Sequence, residues 1–431
     1  MHQLKPIYWL IFAIPTLKLQ HAFTMKKFLL GLTLAFWAFA YTPLQAQYVC
    51  VQKEDGKYYI AGTQTPCPNV IITAVPFLRI VTDARSGGMG DAGIALSPDA
   101  DAVNYNDSKL VFADKELGLS ASYTPWLRAL GLTDVYLAQL NGYYKVGNMQ
   151  AVGLQLKYFS LGGIDYRDLN GQDIGQGKPN EFTVKASYAR KLSESFSAGI
   201  GAKFVYSNLA AGQTVNGQLI TIGTAGAVDV SATYQSKLKV GEKESMLRAA
   251  LAITNIGSKI TYVNAANNER DFIPTNLGLG AAWEVQLDDY NKLTLTTDIN
   301  KLLVPTPCLG TESECDPNGN GIPEWREQSP IQGIFSSFSD APNGFSEELR
   351  ELSYSIGAEY WYDEQFALRA GFYSENQSKG ARNFLTLGLG LKYNVFGLNF
   401  SYLVPTTNER NPLDNTIRFS LLFDFAALTE E

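Results

Sequence analysis

Histidine is almost missing from this sequence of 431 residues. The only two, His2 and His21, lie ahead of the segment read below as the mature chain. Without an imidazole base or ligand, hydrolytic mechanisms built on a Ser–His or Cys–His pair are excluded; Ser/Lys or paired-carboxylate chemistry stays open, though no motif points to it. Charge is sparse too. Charged residues make up 18%, against roughly a quarter in soluble domains. The net charge of −7 comes with no basic run, so nucleic acid is excluded as a partner. After residue 46 no segment approaches the ~20 apolar residues that a spanning helix needs. If the chain sits in a membrane, strands must carry it.

Apolar residues are plentiful, at 45%, with 23 Tyr and 23 Phe. The longest apolar run stands at the start. Met25, Lys26 and Lys27 precede an apolar stretch from Phe28 to Ala40, and Leu44-Gln45-Ala46 stands before Gln47. This is the charged, apolar and small-residue order of a secretory signal over 25–46. The mature chain is then expected to begin at Gln47. Residues 1–24 read as a start assigned too early, with a signal anchor as the alternative. Four lysines and no acid leave with 1–46, so 31 basic residues face 42 acidic ones in the remainder.

Four cysteines fall into two local pairs, Cys50 with Cys67 and Cys308 with Cys315. An oxidising compartment allows two disulfides there, with bridging across the fold as the alternative for the second pair. Gln47-Tyr48-Val49 lacks the small residue expected before a lipid-modified cysteine.

From Leu117 onward, segments of about ten residues alternate apolar and polar, as membrane β-barrels do. In 416–425 one face holds Ile417, Phe419, Leu421, Phe423 and Phe425, the other Arg418, Ser420 and Asp424 beside a single apolar Leu422. Strands are predicted at 117–123, 133–145, 150–161, 180–191, 196–208, 228–237, 246–254, 275–287, 291–301, 352–361, 365–373, 382–393, 395–402 and 416–425. That makes fourteen, with short connections alternating with long ones, the longest 302–351. The reading is all-β: a 14-stranded antiparallel transmembrane barrel over 116–431, with short turns and both termini on the periplasmic side. A secreted sandwich or propeller is the alternative, but sandwich strands are shorter and no blade-length repeat is present.

Residues 47–115 differ, being rich in Gly, Pro and Asp, with the loop Ser86-Gly87-Gly88-Met89-Gly90-Asp91-Ala92-Gly93. Such a segment can fill the lumen as a plug or hang as a periplasmic tail. The Gly-x-Gly pairs Gly199/Gly201, Gly278/Gly280 and Gly388/Gly390 sit inside strands and are expected to give interior room.

The stretches 86–112 (SGGMGDAGIALSPDADAVNYNDSKLVF), 120–144 (SASYTPWLRALGLTDVYLAQLNGYY), 154–162 (LQLKYFSLG) and 410–425 (RNPLDNTIRFSLLFDF) resemble the PorV family. These are outer-membrane components of the type IX secretion system in Bacteroidetes, related to FadL-like barrels. The resemblance implies a plugged fourteen-stranded barrel that is not an enzyme. It also implies a shuttle taking cargo, through its C-terminal signal domain, from the translocon barrel Sov/SprA to the attachment complex containing PorU, in an LPS-bearing membrane. One departure stands out: FadL-like plugs commonly carry Asn-Pro-Ala where this chain has Asn106-Asp107-Ser108. A FadL-like transporter of hydrophobic small molecules is the rival function.

Two candidate sites remain. Asp316, Asn318, Asn320, Ile322, Glu324 and Glu327 lie in a segment that fits the twelve-position calcium loop D-x-[DN]-x-[DN]-G-x5-E. No cofactor is required; a Gly/Asn/Pro surface turn is the plain reading of 316–327, and a weakly held Ca2+ ion the alternative. Trp126 and Leu127 in the first long loop could meet a partner, or Trp126 could serve as an interfacial belt aromatic. Tyr360, Trp361 and Tyr362 are expected in the belt.

Overall fold

A computed structural model describes residues 50–425 without 53–57, 61, 64–67, 129–130, 168–170, 216–217, 264–269, 310–311, 343 and 407–414. The signal segment, the assigned start, Gln47 and Cys67 lie outside the described residues, and with them the Cys50–Cys67 pairing. Cys308 and Cys315 are bonded to each other.

Fourteen antiparallel strands close into a barrel. They are β1 (Leu117–Pro125), β2 (Val135–Val146), β3 (Gln150–Leu161), β4 (Asn180–Lys191), β5 (Phe196–Asn208), β6 (Gly223–Val240), β7 (Lys243–Gly257), β8 (Asn276–Gln286), β9 (Asn291–Leu302), β10 (Ser353–Tyr362), β11 (Phe366–Ser374), β12 (Asn383–Tyr393), β13 (Phe396–Pro405) and β14 (Ile417–Phe425). Closure comes from β14 pairing with β1, from Phe419 opposite Tyr123 to Phe425 opposite Leu117. Every edge is thereby removed, as backbone polar groups in hydrocarbon demand.

Alternation decides which way each side chain points. Along β12, Leu387, Leu389 and Leu391 are exposed, while Thr386, Gly388 and Gly390 are buried in the lumen. Along β14, Phe419 and Leu421 face out and Arg418 and Ser420 face in. The short turns use residues that tolerate left-handed backbone, such as Gly241 at φ 66° and Asn394 at φ 52°. β6 and β7 extend beyond the predicted 228–237 and 246–254, because the polar Lys239, Glu242 and Lys243 near the turn interrupt the apolar pattern without interrupting the pairing, which runs to Val240 opposite Lys243.

Residues 69–112 run lengthwise through the lumen. At the long-loop end, the Asn69 backbone donates to Ser378 and Ala74 to Phe272, and the Asn69 side chain donates to Pro307. The chain then descends through two short helices, α1 (Ala84–Gly87) and α2 (Ala102–Tyr105), to meet β1 at the short-turn end. The plug reading therefore holds for these residues. Asn69 lies among the long loops while β14 runs out at the short turns; the ends expected on the periplasmic side, Gln47 and Glu431, lie outside the described residues. A lumen-filling segment that starts at one mouth and ends at the other produces this arrangement.

Candidate functional site

The plug is fixed to the wall on several sides by buried charge. The departure Asn106-Asp107-Ser108 supplies one anchor. Asp107 pairs with Lys185 of β4 at 2.8 Å, and Lys185 also pairs with Asp229 of β6 at 2.7 Å. Lys203 of β5 completes the group at 2.8 Å from Asp229. The Asn106 amide donates to Ile94 and Thr233, and the Ser108 nitrogen donates to the Ser231 hydroxyl. A proline at 107 could not supply this carboxylate.

A second anchor stands across the lumen. Arg85 of α1 donates to both oxygens of Glu359 on β10, at 3.0 and 2.8 Å, and Arg369 of β11 donates to the same carboxylate at 2.6 Å. Arg85 also reaches Asp99 at 2.8 Å. Asp298 of β9 accepts from the Gly93 and Ile94 nitrogens at 2.7 and 2.9 Å. Buried charges are tolerated only when paired and hydrogen-bonded, so these anchors specify one position for the plug.

Glycine gives the seam its closeness. A side-chain carbon on Gly371 would stand 2.0 Å from the Gly90 nitrogen, and one on Gly357 would stand 2.5 Å from the Met89 oxygen. Gly90 itself sits at φ 69° with the Phe372 backbone beside it. The paired strand glycines do provide room: Gly199 faces Ser108, Gly280 faces Ala95 and Gly388 faces Gly88. Backbone thus lies on backbone, and only glycine permits it.

Above the plug, at the long-loop end, a cavity of about 730 Å3 opens. Ile72, Pro76, Ile80 and Phe159 supply apolar walls, and Arg79, Arg382, Lys379 and Arg418 supply charge. Trp126 belongs here. It is 7% exposed and meets Phe159 edge-on at a centroid distance of 6.5 Å, with Leu127 packed on the same cluster. Both earlier readings of Trp126 are therefore corrected: it points inward because the odd positions of β1 face lipid and the even ones the lumen, and the chain keeps that phase one residue past Pro125. Trp361 also turns inward, over Arg369 at 5.5 Å, whereas Tyr362 is exposed as a belt residue would be.

The long loop 303–352 covers this mouth. Lys301 pairs with Glu348 and Glu351, and Lys379 with Glu347 and Glu351, which binds the base of the loop to the wall and to the neighbouring loop. Its crown is apolar and uncovered. Phe335 is 73% exposed and Phe345 75%, with Ile331, Phe338 and Leu349 exposed beside them in sequence. Ile331 and Phe335 lie four residues apart on one face of the helix Pro330–Ser336.

The candidate calcium loop comes together in part. Asp316 accepts from the Asn320 and Gly321 nitrogens, and Asn318 and Asn320 donate their amides to Glu327. Those two amide N–H groups occupy the direction toward Glu327 that a cation would take, so a Ca2+ ion would require both amides to turn over. No such bond draws in Glu324 or the Ile322 carbonyl. Among the described residues no cluster of three or more His, Cys, Asp or Glu converges as a metal site.

In structure the chain is similar to two toluene transporters. With TbuX of Ralstonia pickettii the identity is 13%, the coverage 81% of this chain and 99% of that one, and the TM-score 0.45. With TodX of Pseudomonas putida the values are 10%, 81% and 100%, and 0.46. A FadL homologue of Pseudomonas aeruginosa aligns at 12% identity over 80% and 99%, with a TM-score of 0.40. No curated protein matches in sequence. Residues 63–309 match the family described as type IX secretion system protein PorV. That span is more than half of the chain, from just ahead of the plug through the ninth strand, and the chain belongs to the PorV family of outer-membrane barrels.

Proposed function

We propose that this barrel is the cargo-receiving component of type IX secretion. It takes secreted proteins by their C-terminal signal domains from the Sov/SprA translocon and hands them to the PorU-containing attachment complex, with its long loops facing the cell exterior. It performs no chemistry of its own. The observation that carries this reading is the contrast between a lumen closed by paired charges and a loop crown that leaves Phe335 and Phe345 about three-quarters exposed. Large apolar groups left in water on one rim mark a surface that another protein covers.

The test is the double substitution Phe335→Asp with Phe345→Asp. Both side chains are exposed, so barrel assembly, read from heat-modifiable gel migration, is expected to stay normal while cargo at the cell surface falls sharply. Normal export with the barrel assembled would sink this reading. Removing all of 302–351 is a poorer experiment, because Leu303 and Val304 are buried and Glu348 and Glu351 hold Lys301.

A further inference from the structure

At the short-turn end one ribbon outruns the wall. β6 and β7 hold 18 and 15 residues, and they pair with each other out to Val240 opposite Lys243. Their outer neighbours stop sooner. β5 pairs with β6 as far as Phe196 opposite Tyr234, and β8 with β7 as far as Val285 opposite Ser245. The last backbone bond on the β5 side runs from the Gln235 nitrogen to the Ser195 carbonyl. Residues 236–240 then carry β6 roughly 16 Å further, at about 3.3 Å per residue.

In an antiparallel pair alternate residues turn their N–H and C=O toward the partner, and those between turn them away. Gln235 faces β5, so Lys237 and Lys239 face the same way, past the start of that strand. Among the described residues neither backbone makes a hydrogen bond on that side. The two faces of the ribbon differ as well. Leu238 and Val240 are exposed and continue the outward row of Val230 and Tyr234. Lys237 and Lys239 are exposed on the opposite face. Among the described residues neither ammonium is in an ion pair, although Glu244 stands across the ladder from Lys239.

We propose that the free edge of β6 at 236–240 takes an extended segment of another protein as a third strand, one that alternates acidic and apolar residues. Backbone pairing supplies the affinity, and side chains beside the edge select the strand. An added strand sets every second side chain beside Lys237 and Lys239 and the rest beside Leu238 and Val240, so acids suit the first set and apolar groups the second. Lysines on an edge ordinarily keep stray strands from adding. Here they repel basic strands and leave acidic ones favoured. The secretion reading above supplies only the compartment of the partner, the periplasm; the pairing rests on the edge and its charges.

Binding is read by fluorescence anisotropy on the full-length barrel in phosphatidylcholine nanodiscs, without any other secretion component, so the result is independent of whether export works. The probes are labelled octapeptides, one alternating Glu and Val, the other Lys and Val. The Glu/Val peptide is expected to bind about tenfold more tightly at low salt. Lys237→Glu with Lys239→Glu is expected to reverse that preference. Lys239→Gln keeps the edge N–H and is expected to weaken the Glu/Val peptide modestly, whereas Lys239→Pro removes the N–H and is expected to weaken it about tenfold. Both side chains are exposed and neither residue bonds to β7, so every variant is expected to keep normal gel migration. Equal binding of the two peptides, a preference that survives the charge reversal, or a Lys239→Pro effect no larger than that of Lys239→Gln overturns the proposal.

Discussion

The plug and the loop crown are built on opposite terms. In the plug, Asp107 and Arg85 commit buried charge to the wall, and the glycines of 87–90 bring backbone against it. In the crown, Phe335 and Phe345 touch little, and the fold is held at its base by Lys301 and Lys379. A segment that must not move is made of paired charges and glycine seams. A segment that must meet a partner keeps its apolar groups uncovered.

The largest expected way to break this contrast is at the plug. Lys185→Met leaves Asp107 without its cation and Asp229 with Lys203 alone, and loss of one partner from a buried group costs about 3–5 kcal/mol. The urea midpoint of barrel unfolding should fall accordingly, and an unchanged midpoint would show that the anchor is dispensable. Next is Gly371→Val, whose side chain would have to occupy the place of the Gly90 nitrogen. About 1–3 kcal/mol of strain is expected, with a rise in single-channel conductance across planar bilayers as the seam parts. At the crown the expectation reverses. Phe335→Asp with Phe345→Asp should move stability by less than ~0.5 kcal/mol while export is lost.

Smaller effects sharpen the picture within the loop. Asp340 lies in 303–352, and burial raises its carboxyl from 3.8 to about 6, helped by nearby Glu348 and Glu351 and opposed by hydrogen bonds from Thr306. A raised acid is tolerated while protonated, so its contribution is fully favourable below the unfolded value and is lost as pH climbs from about 4 to about 6. Proteolysis of the loop should therefore quicken between about pH 4 and pH 6, and Asp340→Asn should flatten that difference. Smallest is calcium. If Glu327 and Asp316 take the ion, millimolar Ca2+ protects 316–327 from proteolysis and Glu327→Gln removes the protection; equal cleavage rates with and without calcium count against the loop as a metal site.

Much of the barrel was legible in the residues. Period-two alternation in 150–161, 180–191 and 196–208 marks those strands at their observed bounds, because a wall with lipid on one side and a lumen on the other imposes one chemical rule on every second residue. The roles of single aromatics were not legible. Trp126 and Trp361 read as surface residues, since nothing local says which mouth of a barrel is packed and which is open.

The sequence by itself determined the strand count, the closed sheet and the outward apolar face, since backbone hydrogen bonding in hydrocarbon leaves few other solutions for alternating segments. Only the tertiary structure decided that residues 69–112 thread the lumen from one mouth to the other and which charges are matched there. Pairing of buried charges is a property of the whole enclosed volume, and no stretch of chain holds that information alone.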